Sequence, residues 1–263
     1  MSAYTAVLSA RFRCLLQYRA AAVAGFGCQL FWGLIRVMIF SAFFASTRSA
    51  QPMSERDVIS YVWLGQAMFA LLSLGVDSDI AAMIRSGTVV YELLRPVDLY
   101  WVWFCRSVAL RSIPTLMRGV PMLVVGGLFF GLRPPPSLES GLASAAATFG
   151  ALILASAITT LMSISLMWTV SGLGVTRIVP AFAYCLSGII IPIPFFPDWA
   201  QPVLYALPFR HMVDTPFRLY LGHIPAYQAI PLLAQEAAWA AVLILLGRWM
   251  LARGARRLVA QGG

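Results

Sequence analysis

Length, composition and charge exclude a soluble globular domain. The chain has 263 residues, of which 60% are hydrophobic and 11% are charged, with a formal net charge of +9. A soluble domain carries about 25% charged residues. The length accommodates about six membrane spans of roughly 20 residues each, with modest loops. We therefore expect a multi-pass membrane protein without a large soluble domain.

The basic residues exclude a Walker A nucleotide-binding loop, and the cysteines and histidines argue against a disulfide framework and a metal site. All 19 basic residues are arginine, a bias that codon use in the genome can explain. A Walker A loop needs its lysine on the nucleotide phosphates, so an ATPase engine would have to be another polypeptide. The four cysteines form no Cys-x-x-Cys pair, and both histidines lie far from them in sequence. We expect neither a disulfide framework nor a metal site.

The first predicted element is a helix over residues 3–19. Its apolar residues recur at helical spacing with polar residues between them, which predicts an amphipathic helix in the membrane surface. A cytoplasmic extension of the first span is the alternative. Arginines before the first long apolar run favour a retained span over a cleaved signal peptide. The candidate residues of this helix are Arg11, Phe12, Arg13 and Arg19.

Six apolar runs predict six spans and an orientation. The runs cover residues 20–45, 58–76, 103–132, 142–170, 175–193 and 229–251. With the N-terminus inside, twelve arginines lie in inner segments and five in outer segments, so the positive-inside rule makes both termini cytoplasmic. The inner arginines are Arg11, Arg13, Arg19, Arg85, Arg95, Arg106, Arg111, Arg177, Arg248, Arg253, Arg256 and Arg257, and the outer ones are Arg48, Arg56, Arg133, Arg210 and Arg218. We expect Tyr100, Trp101 and Trp103 at the inner headgroups.

Four polar residues inside predicted spans are candidate pathway residues: Arg36, Arg118, Ser163 and Glu236. An arginine at the bilayer centre costs about 2.5–3.5 kcal/mol on insertion scales, so it must face protein, water or a polar partner. A structural ion pair or a snorkelling side chain would explain the arginines equally well. Contacts of Arg36 or Arg118 with Glu236 are therefore testable. Ser163 belongs to a set of hydroxyl residues that more often mark close helix packing than a pathway.

Residues 77–100 form a short charged segment between predicted spans two and three. Ile80, Met83 and Ile84 fall at helical spacing, and Gly87 can end that helix. Apolar anchors follow, with an acid and a base that can pair at an interface rim. The pattern favours a structured docking segment over a plain connecting loop. Its candidate residues are Ile84, Gly87, Tyr91, Glu92, Leu93, Leu94, Arg95 and Pro96.

Residues 194–222, on the outer side, are apolar but too rich in proline for a spanning helix. Non-helical backbone at membrane depth survives only where protein or water covers it. We predict two short helices that dip in and return, the first beginning at Pro197 or Asp198, the second running from about Phe209 to Leu221 and ending at Gly222. A loop resting on the membrane is the alternative. The candidate residues are Phe195, Phe196, Pro197, Trp199, Pro208 and Phe209.

Taken together, these features resemble the ABC-2 type permeases, most closely a small subfamily of about this length. The resemblance rests on the stretch from Gly87 through Leu93-Leu94-Arg95-Pro96 and on the Phe195-Phe196-Pro197 and Leu207-Pro208-Phe209 patterns before the last span. It implies an all-α membrane protein with an elbow helix over residues 1–19 and a six-span permease domain over 20–263. Outer re-entrant helices would lie between spans five and six.

The resemblance also implies a function and a set of partners. The chain would be a permease in the bacterial cytoplasmic membrane, surrounded by membrane lipid, paired with a second permease of the same or a related kind, and bound to two cytoplasmic P-loop ATPases through residues 77–100. The ATPases would bind ATP and Mg, and this chain would bind no cofactor, no nucleic acid and would not be an enzyme. It would export an amphiphilic substrate, such as a drug, a lipid or a toxic organic cation, by alternating access. Glycan export is the rival within this class.

Two other classes of function fit the sequence less well. A secondary transporter needs internal repeats and acidic residues for ion coupling, and Glu236 alone is a thin basis. An intramembrane hydrolase could use Ser171, next to Gly172, but no histidine lies in a predicted span to act as its base.

Overall fold

The computed structural model describes residues 3–17, 19–47, 49–169 and 172–256. All regular structure in these ranges is helical. The α-helices are α1 Ala3–Leu16, α2 Arg19–Ser46, α3 Glu55–Ala67, α4 Phe69–Leu72, α5 Ser78–Arg85, α6 Val89–Leu93, α7 Leu99–Phe129, α8 Leu138–Ser165, α9 Leu173–Leu186, α10 Gln201–Ala206, α11 Asp214–Tyr220 and α12 Ala229–Ala255. Short 3-10 helices lie at Ile193–Phe195, Pro208–Met212 and Ala226–Gln228.

Four helices in the described part of the chain are long and apolar enough to cross a membrane. They are Ala20–Ser46, Leu99–Phe129, Leu138–Ser165 and Ala226–Ala255, and they correspond to predicted spans one, three, four and six. At 1.5 Å per residue each is roughly 40 Å long, which exceeds the hydrocarbon thickness of about 30 Å. The fourth predicted span was drawn too long, because its helix ends at Ser165 and residue 170 lies outside the described residues.

The predicted spans two and five are shorter helices followed by irregular backbone. Helix α3 ends at Ala67, α4 adds one turn, and residues 73–77 have no regular structure. Helix α9 has 14 residues, roughly 21 Å of rise. It ends before Gly188, whose φ of +89° and close approach to the Tyr61 hydroxyl exclude a Cβ atom, and the prolines that follow cannot resume a helix.

Helix α8 is the centre of the fold. It packs against α7, α11 and α12. Its buried face is made of small residues, with Ala147, Ala151 and Ala155 almost fully covered. Small side chains allow membrane helices to approach closely. The packing interpretation of this hydroxyl-rich and alanine-rich span therefore fits the structure.

Ion pairs mark the two ends of the helix bundle. At one end Arg248 of α12 lies 2.8 Å from Asp98, which caps α7. At the opposite end Asp57 of α3 pairs with Arg133 at 3.4 Å and with His223 at 3.3 Å. Residues 77–98 and helix α1 lie at the first end, and the segment between α9 and α12 lies at the second. For brevity we call these the coupling end and the far end.

Candidate functional site

The segment between α4 and α7 folds into two short helices joined at a glycine. Helix α5 ends at Arg85, and Gly87 follows with a φ of +74°, a conformation that only glycine adopts without strain. Helix α6 then leads through Leu94 to Asp98, whose side chain accepts the N–H of Tyr100 and caps α7. Two fully buried residues, Ile80 and Val89, attach this turn to the bundle.

The outer face of the same segment is apolar and exposed. Leu94 is 76% exposed and Tyr91 is 70% exposed, with Leu93 beside them. Glu92 and Arg95 form an ion pair of 3.2 Å at the edge of this face. We call Tyr91, Leu93 and Leu94 the exposed apolar patch. The buried residues of the same segment, Ile80 and Val89, hold this patch against the bundle.

A charge network fixes the first residues of α5, and sequence reasoning missed it. Asp77 is buried and accepts hydrogen bonds from Arg106 at 3.0 and 3.2 Å and from Arg11 at 3.3 Å. The same two arginines also bind Asp79. Arg11 comes from α1 and Arg106 from α7, so the network joins three elements. The signal in the sequence was the Asp-x-Asp pair before a helix.

The protonation of Asp77 depends on this network. Burial acts to raise the pKa of the Asp77 carboxyl, but the hydrogen bond and charge of Arg106, the N–H of Asp79 and the charge of Arg11 together hold it below the ordinary value of 3.8. The carboxyl is therefore ionised at neutral pH. A charged Asp77 also caps α5, since its Oδ1 accepts the N–H groups of Asp79 and Ile80.

Helix α1 lies along α7, and its Arg11 also pairs with Asp77 in residues 77–98, which we call the coupling segment. Its Tyr4 hydroxyl accepts the N–H of Asp98 at 3.2 Å. Phe12 is partly buried, whereas Arg13 is exposed. Arg19 begins α2 instead of ending α1, and its side chain lies outside what the structure describes. That α1 rests in the membrane surface stays a prediction.

The four candidate pathway residues lie in separate places. Arg118 donates to the carbonyl of Ala21 at 3.3 Å, and the Ser163 hydroxyl donates within its own helix. Glu236 is buried against Gly150, and neither carboxylate oxygen has a partner among the described residues. Neither arginine bonds to Glu236 among the described residues, so neither of the two contacts named as testable is formed. Glu236 of α12 instead packs against α8, the helix that α12 contacts most extensively.

Arg36 is the candidate pathway residue that faces open space. Its guanidinium donates to the carbonyl of Ile189 at 2.8 Å, next to the turn that ends α9. Arg36 lines two cavities, one of about 570 Å³ and one of about 320 Å³. The larger is bordered by apolar residues, among them Phe43 and Phe195, and the smaller by Gln29, Gln66 and Tyr184. A cation thus borders two mainly apolar cavities.

A second arginine inside the bundle is Arg111, which was assigned to an inner segment. It lies in the middle third of α7, is 3% exposed, and bonds to Thr159, to the carbonyl of Ser107 and, at 3.5 Å, to that of Ser73. Tyr100 and Trp103, expected among headgroups, are buried in protein as well. These corrections share a cause: neighbouring helices cover α7 laterally, α8 at Arg111 and α12 at Tyr100.

The outer segment contains short helices, placed differently from the prediction. A turn starts at Pro197, but the helix itself, α10, begins only at Gln201. The second predicted helix is divided at Val213 into a 3-10 part and α11, because Pro216 has no N–H to donate to the carbonyl of Met212. Gly222 follows α11 with a φ of +76°. The candidate residues of this segment differ in their surroundings. Phe195 packs edge-on against Phe43 and Phe44. Pro208 is buried, Phe196 and Phe209 are partly buried, and Trp199 is 81% exposed.

This segment also buries charged residues. Arg210 is 8% exposed, and its guanidinium lies 4.8 Å from the ring centre of Tyr205. Arg218 donates to the Tyr205 hydroxyl at 3.2 Å and pairs with buried Asp214 at 3.5 Å. Gln235 and Trp239 of α12 donate to the carbonyls of Tyr205 and Ala206. The far-end segment is therefore a packed part of the protein and not a loop resting on its surface.

Comparison with known proteins gives one match that covers most of the chain. A family model described as "ABC-2 family transporter protein" matches residues 30–262. No curated protein matches the chain. The matched range contains the coupling segment, the larger cavity at Arg36 and the far-end segment.

Proposed function

The chain belongs to the ABC-2 transporter family, and we propose that it is the permease of an ATP-driven exporter. Members of this family are membrane subunits of transporters and generally pair with an ATPase subunit. We place the ATP and Mg sites on two cytoplasmic P-loop ATPases, since this chain has no lysine for a Walker A loop. A second permease, identical or related, completes the proposed assembly in the bacterial cytoplasmic membrane.

The exposed apolar patch is the observation that carries the proposal. Tyr91 and Leu94 are each at least 70% exposed on a segment whose other side is buried. An exposed apolar surface with a charged rim is typical of a protein interface. We assign the ATPase contact to this patch, and the coupling end is then cytoplasmic.

The charge network gives a path for force from the ATPase into the membrane helices. Arg11 and Arg106 form ion pairs with Asp77 and Asp79 at the start of α5. Displacement of the patch would therefore be passed to α1 and α7 together. This arrangement suits the proposed coupling and elbow roles.

The cavities at Arg36 support an amphiphilic substrate. The larger one is lined by isoleucine and phenylalanine side chains with Arg36 and Gln51 as its polar groups. An apolar body with a polar or charged end fits such a lining. We propose drugs, lipids or organic cations as the substrate class, with outward release near Phe195 at the far end. For a cation, Arg36 would be repulsive and so would favour release over retention.

Six membrane crossings complete the proposal. Segments 58–76 and 175–193 would serve as spans two and five, and protein or water would have to cover their irregular portions, which are partly exposed at Ser73 and Ile190. Both termini would then be cytoplasmic, and the far-end segment would be the outer re-entrant pair.

Co-purification of the ATPase tests the central claim. Leu94→Asp with Arg95→Glu places charge on the patch, and we expect the full-length permease to remain inserted but to recover less of its ATPase partner. The matched control is Leu138→Asp with Arg56→Glu, which makes the same changes at two exposed far-end positions. Equal ATPase recovery by both variants would refute docking at the patch. ATP hydrolysis by the wild-type complex in lipid, stimulated by an added amphiphile, tests the substrate class separately.

A further inference from the structure

A basic and aromatic cavity lies at the coupling end, away from the exposed apolar patch. It has a volume of about 500 Å³ and is lined by Trp168, Trp249, Met250, Arg253 and Arg256. The last two turns of α12 and its C-cap Arg256 supply most of this lining, and the residues that follow α8 close one side, where Gly254 approaches Met167. Neither cavity at Arg36 shares a residue with it.

The two arginines of this cavity carry charge that the described carboxylates do not neutralise. Arg253 lies with its guanidinium carbon 4.4 Å above the ring centre of Trp249 and is exposed, as is Arg256. Arg248, one turn earlier on α12, differs, because it is paired with Asp98 at 2.8 Å. Two full positive charges outweigh the negative partial charge of about one half at a helix C-terminus. The cavity is therefore an anion-binding environment.

An apolar groove begins where the basic cavity ends. It has a volume of about 320 Å³ and runs between α8, α9 and α12, with Met250 shared between groove and cavity. Its single hydroxyl lining group, Ser165, donates to the carbonyl of Met162 and leaves the lining without a free donor. The other lining residues include Ile158, Met162, Val175, Val179, Phe209 and Leu243.

The joined cavity and groove match the shape and charge of one kind of molecule. Tryptophans at the end of a membrane helix lie at headgroup depth, and basic pockets between membrane helices bind anionic headgroups. The groove extends from that depth along the membrane helices, as an acyl chain does. Because the charge is positive and concentrated at one end, the occupant needs an anionic head and an apolar chain.

We propose that this is a binding site for an anionic phospholipid. The phosphate lies on Arg253 and Arg256, and one acyl chain lies in the groove beside Val179. The site is separate from the proposed substrate cavities, so a lipid bound here is a structural or regulatory ligand instead of cargo. The assignment needs only that these helices lie in a membrane, and it stands whether or not the exporter proposal holds.

Native mass spectrometry of the purified full-length protein tests the headgroup contact. The probe is palmitoyl-oleoyl phosphatidylglycerol, with phosphatidylcholine of the same chains as the neutral comparison. We expect phosphatidylglycerol to bind more tightly, and Arg256→Gln and Arg253→Gln each to weaken it about fivefold, in line with the contribution of one arginine at a membrane surface. Arg177→Gln, which removes one exposed arginine at the same end, should leave the affinity within about twofold of wild type.

A second pair of variants tests the acyl-chain contact. Val179→Trp fills the groove and should weaken phosphatidylglycerol binding severalfold, whereas Ile178→Trp, at a neighbouring position that is 56% exposed, should not. Glycerol phosphate, the soluble head alone, should not compete at equal concentration. Equal affinity for phosphatidylcholine, an equal loss in Arg177→Gln, or competition by glycerol phosphate would each overturn the proposal. The proposal would also be overturned if this chain formed a dimer that the double variant Arg253→Gln, Arg256→Gln dissociates. A second copy of the chain, and not a lipid, would then cover this cavity.

Discussion

Removing the charge of Asp77 should release the coupling segment from α1 and α7. Asp77→Asn keeps a side chain that caps a helix about as well as aspartate, so its effect isolates the charge. Asp79→Asn is the matched control. It contacts the same two arginines, but its side chain is 57% exposed, whereas that of Asp77 is 2% exposed.

The structure sets the expected magnitudes. Hydrogen bonds to charged groups contribute about 1.5–3 kcal/mol. The Asp77→Asn variant loses the ionic bonds of residue 77 to both arginines, whereas both arginines keep their bonds to Asp79. We therefore expect Asp77→Asn to cost about 1.5–3 kcal/mol of stability. Asp77→Ala should cost about 1 kcal/mol more, because it also removes the helix cap. Asp79→Asn should cost less than about 1 kcal/mol, as exposed ion pairs do.

Thermal unfolding of purified Asp77→Asn, Asp77→Ala and Asp79→Asn in one detergent measures whether their stability losses rank as expected. The effect should also depend on pH. The pKa of Asp77 is lowered in the folded protein, with an ordinary value of 3.8, so its contribution is present above that value and is lost as the pH falls through the lowered pKa. The difference between wild type and Asp77→Asn should therefore vanish in strong acid. A larger cost for Asp79→Asn, or a difference that does not change with pH, would refute the reasoning.

Glycine substitutions on α7 and α8 give two further predictions from packing. Gly119→Ala should destabilise the protein by about 1–3 kcal/mol, because its Cβ would lie 2.5 Å from the backbone oxygen of Ala67. Gly127→Ala, on the same helix with nothing within 4 Å, should be neutral or stabilising by up to about 1 kcal/mol. Gly150→Ala should also destabilise, since its Cβ would meet the Glu236 carboxylate, and Glu236→Ala should suppress that cost. Thermal unfolding of the single and double variants checks both predictions, and additive costs at Gly150 and Glu236 would contradict the second.

Patterns local in the sequence determined the class of the protein and several of its elements. Long apolar runs predict spanning helices because each helix satisfies its own backbone hydrogen bonds and needs no partner to do so. Helix α1 was predictable from the helical spacing of its apolar residues. The end of α5 was predictable from Gly87, because glycine readily adopts the left-handed conformation that ends a helix. The Glu92–Arg95 pair was also predictable, since residues three apart on a turn of helix are neighbours.

Features that depend on distant parts of the chain were not predictable from these patterns. The Asp77 network joins residues 66 and 29 positions apart in the sequence. The burial of Arg111 depends on α8, and that of Arg210 on the packing of the far-end segment. The positive-inside count assigned each arginine to a side of the membrane from sequence position alone and gave no indication that either one is buried.

The sequence by itself therefore determined that this chain is a helical membrane protein with a structured segment at Gly87, because hydropathy and backbone preference act over a few residues. Only the tertiary structure decided which charges meet, which helices break and where the cavities lie. Those outcomes depend on lateral packing between elements that are far apart in the chain, as where Gly150 of α8 meets Glu236 of α12 and where Arg11 and Arg106 meet Asp77.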